Sequence, residues 1–275
     1  MRWLGRLILG LLALGVLALL AVMFWLPPND PDAFALAQQR EARHAAFRLG
    51  KPMPGAPGMT ETLEAKLSRT GFKLGDPIFI RIYKLEFELE VWMKRDGGYS
   101  LFATYPICYF SGQLGPKLRR GDRQSPEGFY RVEARQLNPM SRWHRAFNLG
   151  FPNAYDQSYG RTGTYLMVHG GCSSVGCYAM TNSGVDDLFR LAKAAFAAGQ
   201  PSFQVQALPF RMTAEAMASR ASHTQAAFWS ELKSVADTFE ATREPPEVVV
   251  CDGHYRATPR NSVQSGGLQP GCRKI

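Results

Sequence analysis

The chain carries five cysteines and five histidines, yet no C-x-x-C pair and no H-x-x-x-H pair occurs among them. Structural zinc wants four ligands in paired short spacings, so a zinc-built fold is excluded and neither a metal nor another cofactor is expected. A repeat of solenoid period is also missing, which removes repeat architectures. The charge is lopsided, with 32 Lys and Arg against 23 Asp and Glu for a net of +9, but no recognised nucleic-acid motif accompanies it. An anionic partner other than nucleic acid is implied. Between Leu7 and Leu26 there is no charge and no polar face, so that stretch is not a buried amphipathic helix.

At ~1.5 Å per residue the same stretch spans roughly 30 Å, the thickness of a bilayer's hydrocarbon core. Its length favours a retained single-pass anchor over a cleavable signal, whose apolar region is shorter. Ala33-Phe34-Ala35 has the A-x-A form of a cleavage site, but lies beyond Pro27, Pro28 and two acids. Arg2 and Arg6 before the run, against Asp30 and Asp32 after it, put the N-terminus in the cytoplasm. The body then faces the periplasm from the inner membrane, where disulfides persist. Cys251 and Cys272 either bridge a tail rich in Gly, Pro and Ser or stay unpaired.

Composition divides the chain into an anchor or signal segment (1–26), a linker (27–58), a folded domain (59–212), a helical extension with a possible late strand (213–250) and a flexible tail (251–275). About 240 residues beyond the anchor suffice for one substantial core. Residues 77–83, 86–93 and 99–105 read as strands joined by turn residues such as Asp96-Gly97-Gly98. The acids alternating between Glu86 and Trp92 mark a half-exposed strand rather than a catalytic carboxylate pair. Helices are expected over 60–69, 183–198 and 213–240, with strands at 202–207 and 247–250. The fold class is α+β and rich in β.

Chemistry concentrates in His169-Gly170-Gly171-Cys172-Ser173-Ser174-Val175-Gly176-Cys177-Tyr178-Ala179-Met180. Thr164-Tyr165-Leu166-Met167-Val168 is β-branched, aromatic and apolar, a strand delivering His169 to its end. A thiol is only a few per cent thiolate at neutral pH, and a nearby imidazole can take its proton for nucleophilic acyl transfer. The glycines allow a tight loop, Ser183 can cap the following helix and Gly199 can close it. A buried free Cys and a satisfied core His are the bland alternative for either residue alone. Their clustering after one strand weakens it. Cys172 is a rival nucleophile, or a redox partner that locks Cys177.

This pattern resembles the active-site signature of the L,D-transpeptidases, the YkuD-like (ErfK-type) catalytic domain: HG, a spacer, then S-x-G-C-x-R. Val175 stands where many relatives have His, and Ala179 where the commoner pattern has Arg; the Ala-Met ending resembles the YafK-like branch. Upstream, Gly121-Asp122-Arg123-Gln124-Ser125-Pro126-Glu127-Gly128-Phe129-Tyr130 resembles the family's G-D-x-x-[ST]-P-x-G-x-[FY] segment. The resemblance covers roughly Asp76 to Phe210. It implies a YkuD-like β-sandwich or barrel-type catalytic domain with flanking helices. It also implies a thioester on Cys177 with His169 as base, and backbone N–H groups of the Gly176-Cys177 turn as oxyanion donors. Ser174 either orients His169 or caps the loop. Arg120, Tyr165 and Gly170 are the substrate-binding candidates.

The implied substrate is a peptidoglycan stem peptide, attacked at the carbonyl on the L-centre of its diamino acid. An amine acceptor gives transpeptidation. Water gives hydrolysis of the same bond, which would release a wall-attached lipoprotein. Lys117, Arg119, Arg120, Arg123, Arg131, Arg135, Arg142, Arg145 and Arg161 form either a solvated basic face or a substrate-facing one. Two other classes compete: a catalytically silent wall-binding module, and a papain-like peptidase. The latter places its Cys before its His, the reverse of the order here.

Overall fold

The computed structural model describes residue 15, residues 32–54, 61–258, 268 and 270–275. Except for Gly15, the apolar run expected as an anchor lies outside the described residues; among those described, no helix is long and apolar enough to cross a membrane. Nine strands form one sheet. In chain order they are β1 (Ile78–Tyr83), β2 (Glu88–Arg95), β3 (Gly98–Phe110), β4 (Gly128–Glu133), β5 (Leu137–Ser141), β6 (His144–Asn148), β7 (Met167–His169), β8 (Tyr178–Met180) and β9 (Ser202–Leu208). Their order across the sheet is β4-β9-β1-β2-β3-β8-β7-β6-β5. All neighbours are antiparallel except β1 with β9 and β7 with β8. The sheet curls so that its two edges nearly meet. Gln136 spans the gap, its Nε2 donating to Arg131 O at 3.2 Å on β4 and to Asn148 O at 2.8 Å on β6.

The inner face of this near-barrel is aromatic and aliphatic: Ile80, Tyr105, Tyr130, Phe147, Val168 and Tyr178 are all buried there. Strands β1 and β2 follow the expected segments within two residues. β3 runs on to Phe110 because its second half leaves β2 and pairs with β8 across a register shift between Ile107 and Tyr109. The acids of β2 are structural, as expected for a non-catalytic pair: Glu88 and Glu90 both engage Arg211, and Glu90 also accepts from Trp92 Nε1 at 2.9 Å.

Two expectations change. The linker segment contains a helix, α1 (Ala33–Arg48), docked by charge rather than by an apolar stripe. Arg43 is almost wholly buried; it donates to Ile107 O at 3.1 Å and Phe87 O at 3.4 Å. Arg40 donates to Gly112 O at 2.7 Å. Hydropathy periodicity misses a helix held this way. The tail expected to be flexible also adds structure. β10 (Glu247–Cys251), β11 (His254–Thr258) and β12 (Cys272–Lys274) form a second sheet in the order β11-β10-β12. A Cys251–Cys272 disulfide joins its facing strands.

Helix α2 (Leu63–Thr70), capped by Thr62, starts three residues into the expected span and ends one residue beyond it. The short α3 (Ala154–Ser158) follows β6. α4 (Asn182–Ala197) begins one residue before the expected span, and Thr181 rather than Ser183 caps it, because Thr181 Oγ1 accepts from Gly184 N–H at 3.1 Å. Gly199 closes it at φ +98° with a bond to Phe196 O at 3.0 Å, the αL termination that glycine favours. Residues 213–240 divide into α5 (Ala214–Ala218) and α6 (Ala226–Thr242).

A buried ion pair ties these layers together. Lys84 and Glu127 are both fully enclosed, with Nζ and Oε1 3.0 Å apart. Glu127 also accepts from Gly115 N–H at 2.7 Å and from Trp229 Nε1 of α6 at 2.9 Å. Removing one charge strands the other and leaves Trp229 without its acceptor. Glu127→Ala is therefore expected to lower unfolding free energy by about 3–5 kcal/mol, read from urea denaturation; a change under about 1 kcal/mol would deny the pair this role.

Candidate active site

Strand β7 ends at His169 and the parallel neighbour β8 begins at Tyr178, with Val168 opposite Tyr178 and His169 opposite Ala179. Val168 and Tyr178 point into the core. Because side chains alternate along strands, His169 and Cys177, which lie one residue away in opposite directions, share the other face. Their diagonal separation is the kind that long or aromatic side chains bridge. The connecting loop turns through left-handed conformations at Gly171, Cys172 and Gly176, with φ of +79°, +49° and +106°. At Cys172 this costs roughly 1–2 kcal/mol for a residue with a Cβ. The residue is pinned by a disulfide to Cys108 of β3 and by its N–H on Met180 O at 3.1 Å. Cys172 is thus neither the nucleophile nor a lock on Cys177. Cys177 is the one free thiol.

Serine hydroxyls hold the peptide of Cys177. Ser125 Oγ donates to Cys177 O at 2.8 Å and Ser174 Oγ to the same oxygen at 2.7 Å. Ser174 Oγ in turn accepts from Cys177 N–H at 2.7 Å, and Gly176 N–H donates to Ser111 Oγ. Of the two roles expected for Ser174, its hydrogen bonds are those of the loop cap, and none goes to His169. The Gly176 and Cys177 amides expected as oxyanion donors are both occupied by serines here. The upstream motif is explained by the same contacts, since Ser125 grips Cys177 while Tyr178 Oη donates to Pro126 O at 2.5 Å.

The imidazole is oriented by backbone. His169 Nδ1 lies 2.6 Å from Gly170 O; a carbonyl only accepts, so Nδ1 carries the proton and Nε2 keeps its lone pair. Gly170, expected as a substrate-binding residue, lends its carbonyl to the imidazole. It is buried, and a Cβ there would stand 2.7 Å from Asn182 Oδ1 and 3.1 Å from His144 Cβ. Trp143 at the β5–β6 turn lies over the His169 ring with centroids 6.0 Å apart. Burial lowers the His169 pKa against a smaller raising effect of the Gly170 bond. Burial likewise raises the Cys177 pKa, opposed by the Met167 N–H and the charge of Lys117. Both groups therefore rest neutral.

Thiol contacts are with Met167 N–H at 3.4 Å and Tyr165 O at 3.7 Å; no hydrogen bond joins it to His169 in this structure. Tyr165 presents its carbonyl to the sulfur while its ring is 71% exposed. Arg120 extends into solvent from a loop whose N–H is fixed on Thr162 Oγ1 at 3.1 Å. Among the described residues no group of three or more His, Cys, Asp or Glu could hold a metal. Sequence reasoning missed Ser111, which lies outside both motifs, and left Ser125 without a role.

A model of the L,D-transpeptidase catalytic domain, YkuD, matches residues 80–206. YafK of Escherichia coli (strain K12), a provisional L,D-transpeptidase by name, is 50% identical over 182 residues, covering 66% of this chain and 74% of its own. Its counterpart in E. coli O157:H7 matches equally. Among solved structures, the helical cell shape determining protein Pgp2 of Campylobacter jejuni aligns at TM-score 0.39 and 19% identity, over 65% of this chain and 64% of its own. Bd1075 of Bdellovibrio bacteriovorus aligns at TM-score 0.36 and 17% identity, over 60% and 59%. The chain spans less than two thirds of either structure's length.

The buried thiol has a measurable consequence. Desolvation penalises the thiolate, so the Cys177 pKa stands above the ordinary 9.0. The rate of single-site alkylation by iodoacetamide should climb with pH and still be rising at pH 9. A plateau reached below about pH 7 would instead reveal a resting thiolate–imidazolium pair.

Proposed function

The chain belongs to the L,D-transpeptidase catalytic-domain family, and from that premise we propose that it is a cysteine acyltransferase acting on peptidoglycan stem peptides. The observation that carries this is the placement of the one free thiol and an imidazole with an unpartnered Nε2 on the same sheet face. His169 Nε2 takes the proton of Cys177 Sγ as sulfur attacks the carbonyl carbon on the L-centre of the diamino acid. The carbon–nitrogen bond breaks, the departing amine takes the proton back from His169, and a thioester remains on Cys177. An acceptor amine then attacks, losing its proton through His169, and the thiol is restored as the new amide forms. Water in place of that amine gives a free carboxylate, the hydrolytic outcome.

A resting neutral pair suits this mechanism, because proton transfer then accompanies attack instead of preceding it. The location follows the same logic. Disulfides at Cys108–Cys172 and Cys251–Cys272 suit an oxidising compartment. We place the domain on the periplasmic side of the inner membrane, tethered by residues 7–26. Whether a wall-attached lipoprotein is among the linked amines is decided by the same experiment.

That experiment incubates the full-length protein with purified muropeptides and reads products by mass. Cross-linked dimers mean transpeptidation, and loss of a linked amine with gain of water means hydrolysis. Cys177→Ala should abolish either product. His169→Ala should lower the rate about 10²–10⁴-fold, the scale of a lost general base. Full activity of Cys177→Ala would overturn the cysteine mechanism, and no product from the unsubstituted protein would leave the silent wall-binding module as the better account.

A further inference from the structure

We propose that the loop 117–123 is a carboxylate-reading element, with Arg119, Arg120 and Arg123 as ligands for a free carboxylate on the stem peptide bound at Cys177. The reading above supplies the identity of the ligand; the site itself rests on the loop's geometry. One acid, Asp122, organises the loop from within. Its Oδ2 accepts from Leu118 N–H at 2.8 Å and Arg119 N–H at 2.9 Å. Its Oδ1 accepts from Gln124 N–H at 3.0 Å and pairs with Lys117 Nζ at 2.5 Å. Thr162 N–H donates to Leu118 O at 3.1 Å and Thr162 Oγ1 accepts from Arg120 N–H at 3.1 Å, clamping the loop to the segment that leads into β7.

Asp122 is thereby committed to Lys117 and three amides. The guanidinium groups of Arg119, Arg120 and Arg123 are exposed and have no hydrogen-bond or ion-pair partner among the described residues. Most other arginines of the described domain are paired: Arg69, Arg81, Arg131, Arg161, Arg190 and Arg211, for example, all hold acids. Three unneutralised cations within five positions of one hydrogen-bonded loop repel one another, and an anion bound there relieves that cost.

The loop also borders the thiol. Gln124 follows Arg123 and its carbonyl lies against Gly176, while Ser125 holds the Cys177 carbonyl. The strand after the nucleophile offers no alternative cation, since Tyr178, Ala179 and Met180 are wholly buried and uncharged. Arginine suits the task because its planar fork matches a carboxylate bidentately.

The test uses the full-length Cys177→Ala protein, which binds without turnover, so the result is independent of catalysis. Dissociation constants are measured for a synthetic stem peptide with a free terminal carboxylate and for its carboxamide, at low and high salt. The carboxylate should bind about tenfold tighter at low salt, a ratio that shrinks as salt rises. Adding Arg119→Gln, Arg120→Gln and Arg123→Gln should bring the ratio to about one. A ratio unchanged by those substitutions, a protein that does not distinguish the peptides, or one that binds neither overturns the proposal. The turnover of muropeptides by the unsubstituted protein stands or falls separately.

Discussion

Two serine hydroxyls meet on the carbonyl oxygen of Cys177, and most of the site depends on that meeting. Ser174 comes from the loop itself, and Ser125 from the upstream motif fifty-two positions away in sequence. With Ser111 holding the preceding amide, they fix the peptide that carries the sulfur before any substrate arrives. In a partly buried setting such bonds are stronger than in water and costly to leave unmade. The loop they restrain passes through three left-handed residues, Gly171, Cys172 and Gly176, within six positions, so it needs external support. The Cys108–Cys172 bridge supplies that support from β3, and the Lys84–Glu127–Trp229 network anchors the motif that delivers Ser125.

The same burial governs the chemistry. It pushes the imidazole toward its neutral base form and the thiol toward its neutral acid form. For His169 this means the base remains competent below the usual imidazole value, because protonation is what burial opposes. For Cys177, in the mechanism proposed, attack waits for proton transfer. A dyad neutral on both sides avoids holding an ion pair in a largely buried site, where desolvation offsets much of the attraction. Lys117 lies close enough to favour the thiolate, but its charge is largely spent on Asp122.

Much of this was legible in the residues, and the reasons differ by element. Strands β1, β2 and β9 and helix α4 announce themselves because one face or both are apolar at the proper period. The candidate nucleophile and base were legible as a pair because His169, Gly170, Gly176 and Cys177 fall in one frame after a strand, which the sheet register then brings to one face. β4 to β6 were not, since their polar outward residues and the Arg142-Trp143 tip mask the alternation. α1 was hidden because two arginines dock it onto strand carbonyls, a contact with no hydropathy signature. The pairing of Cys108 with Cys172 depends on β3 extending far enough to meet β8, which only the folded sheet decides. Ser174 was legible as a residue that either orients His169 or caps the loop, and its hydrogen bonds are those of the cap; Gly170 was assigned to substrate, whereas its carbonyl accepts from the imidazole.

The central claim is that sulfur on residue 177 carries the acyl group. Intact-mass analysis of the full-length protein, quenched in acid during turnover of a muropeptide, tests it most directly. The account predicts a covalent adduct of the acyl fragment, localised to Cys177 by peptide mapping and released by hydroxylamine. Turnover that proceeds with no adduct on Cys177, or with the adduct on another residue, would contradict it.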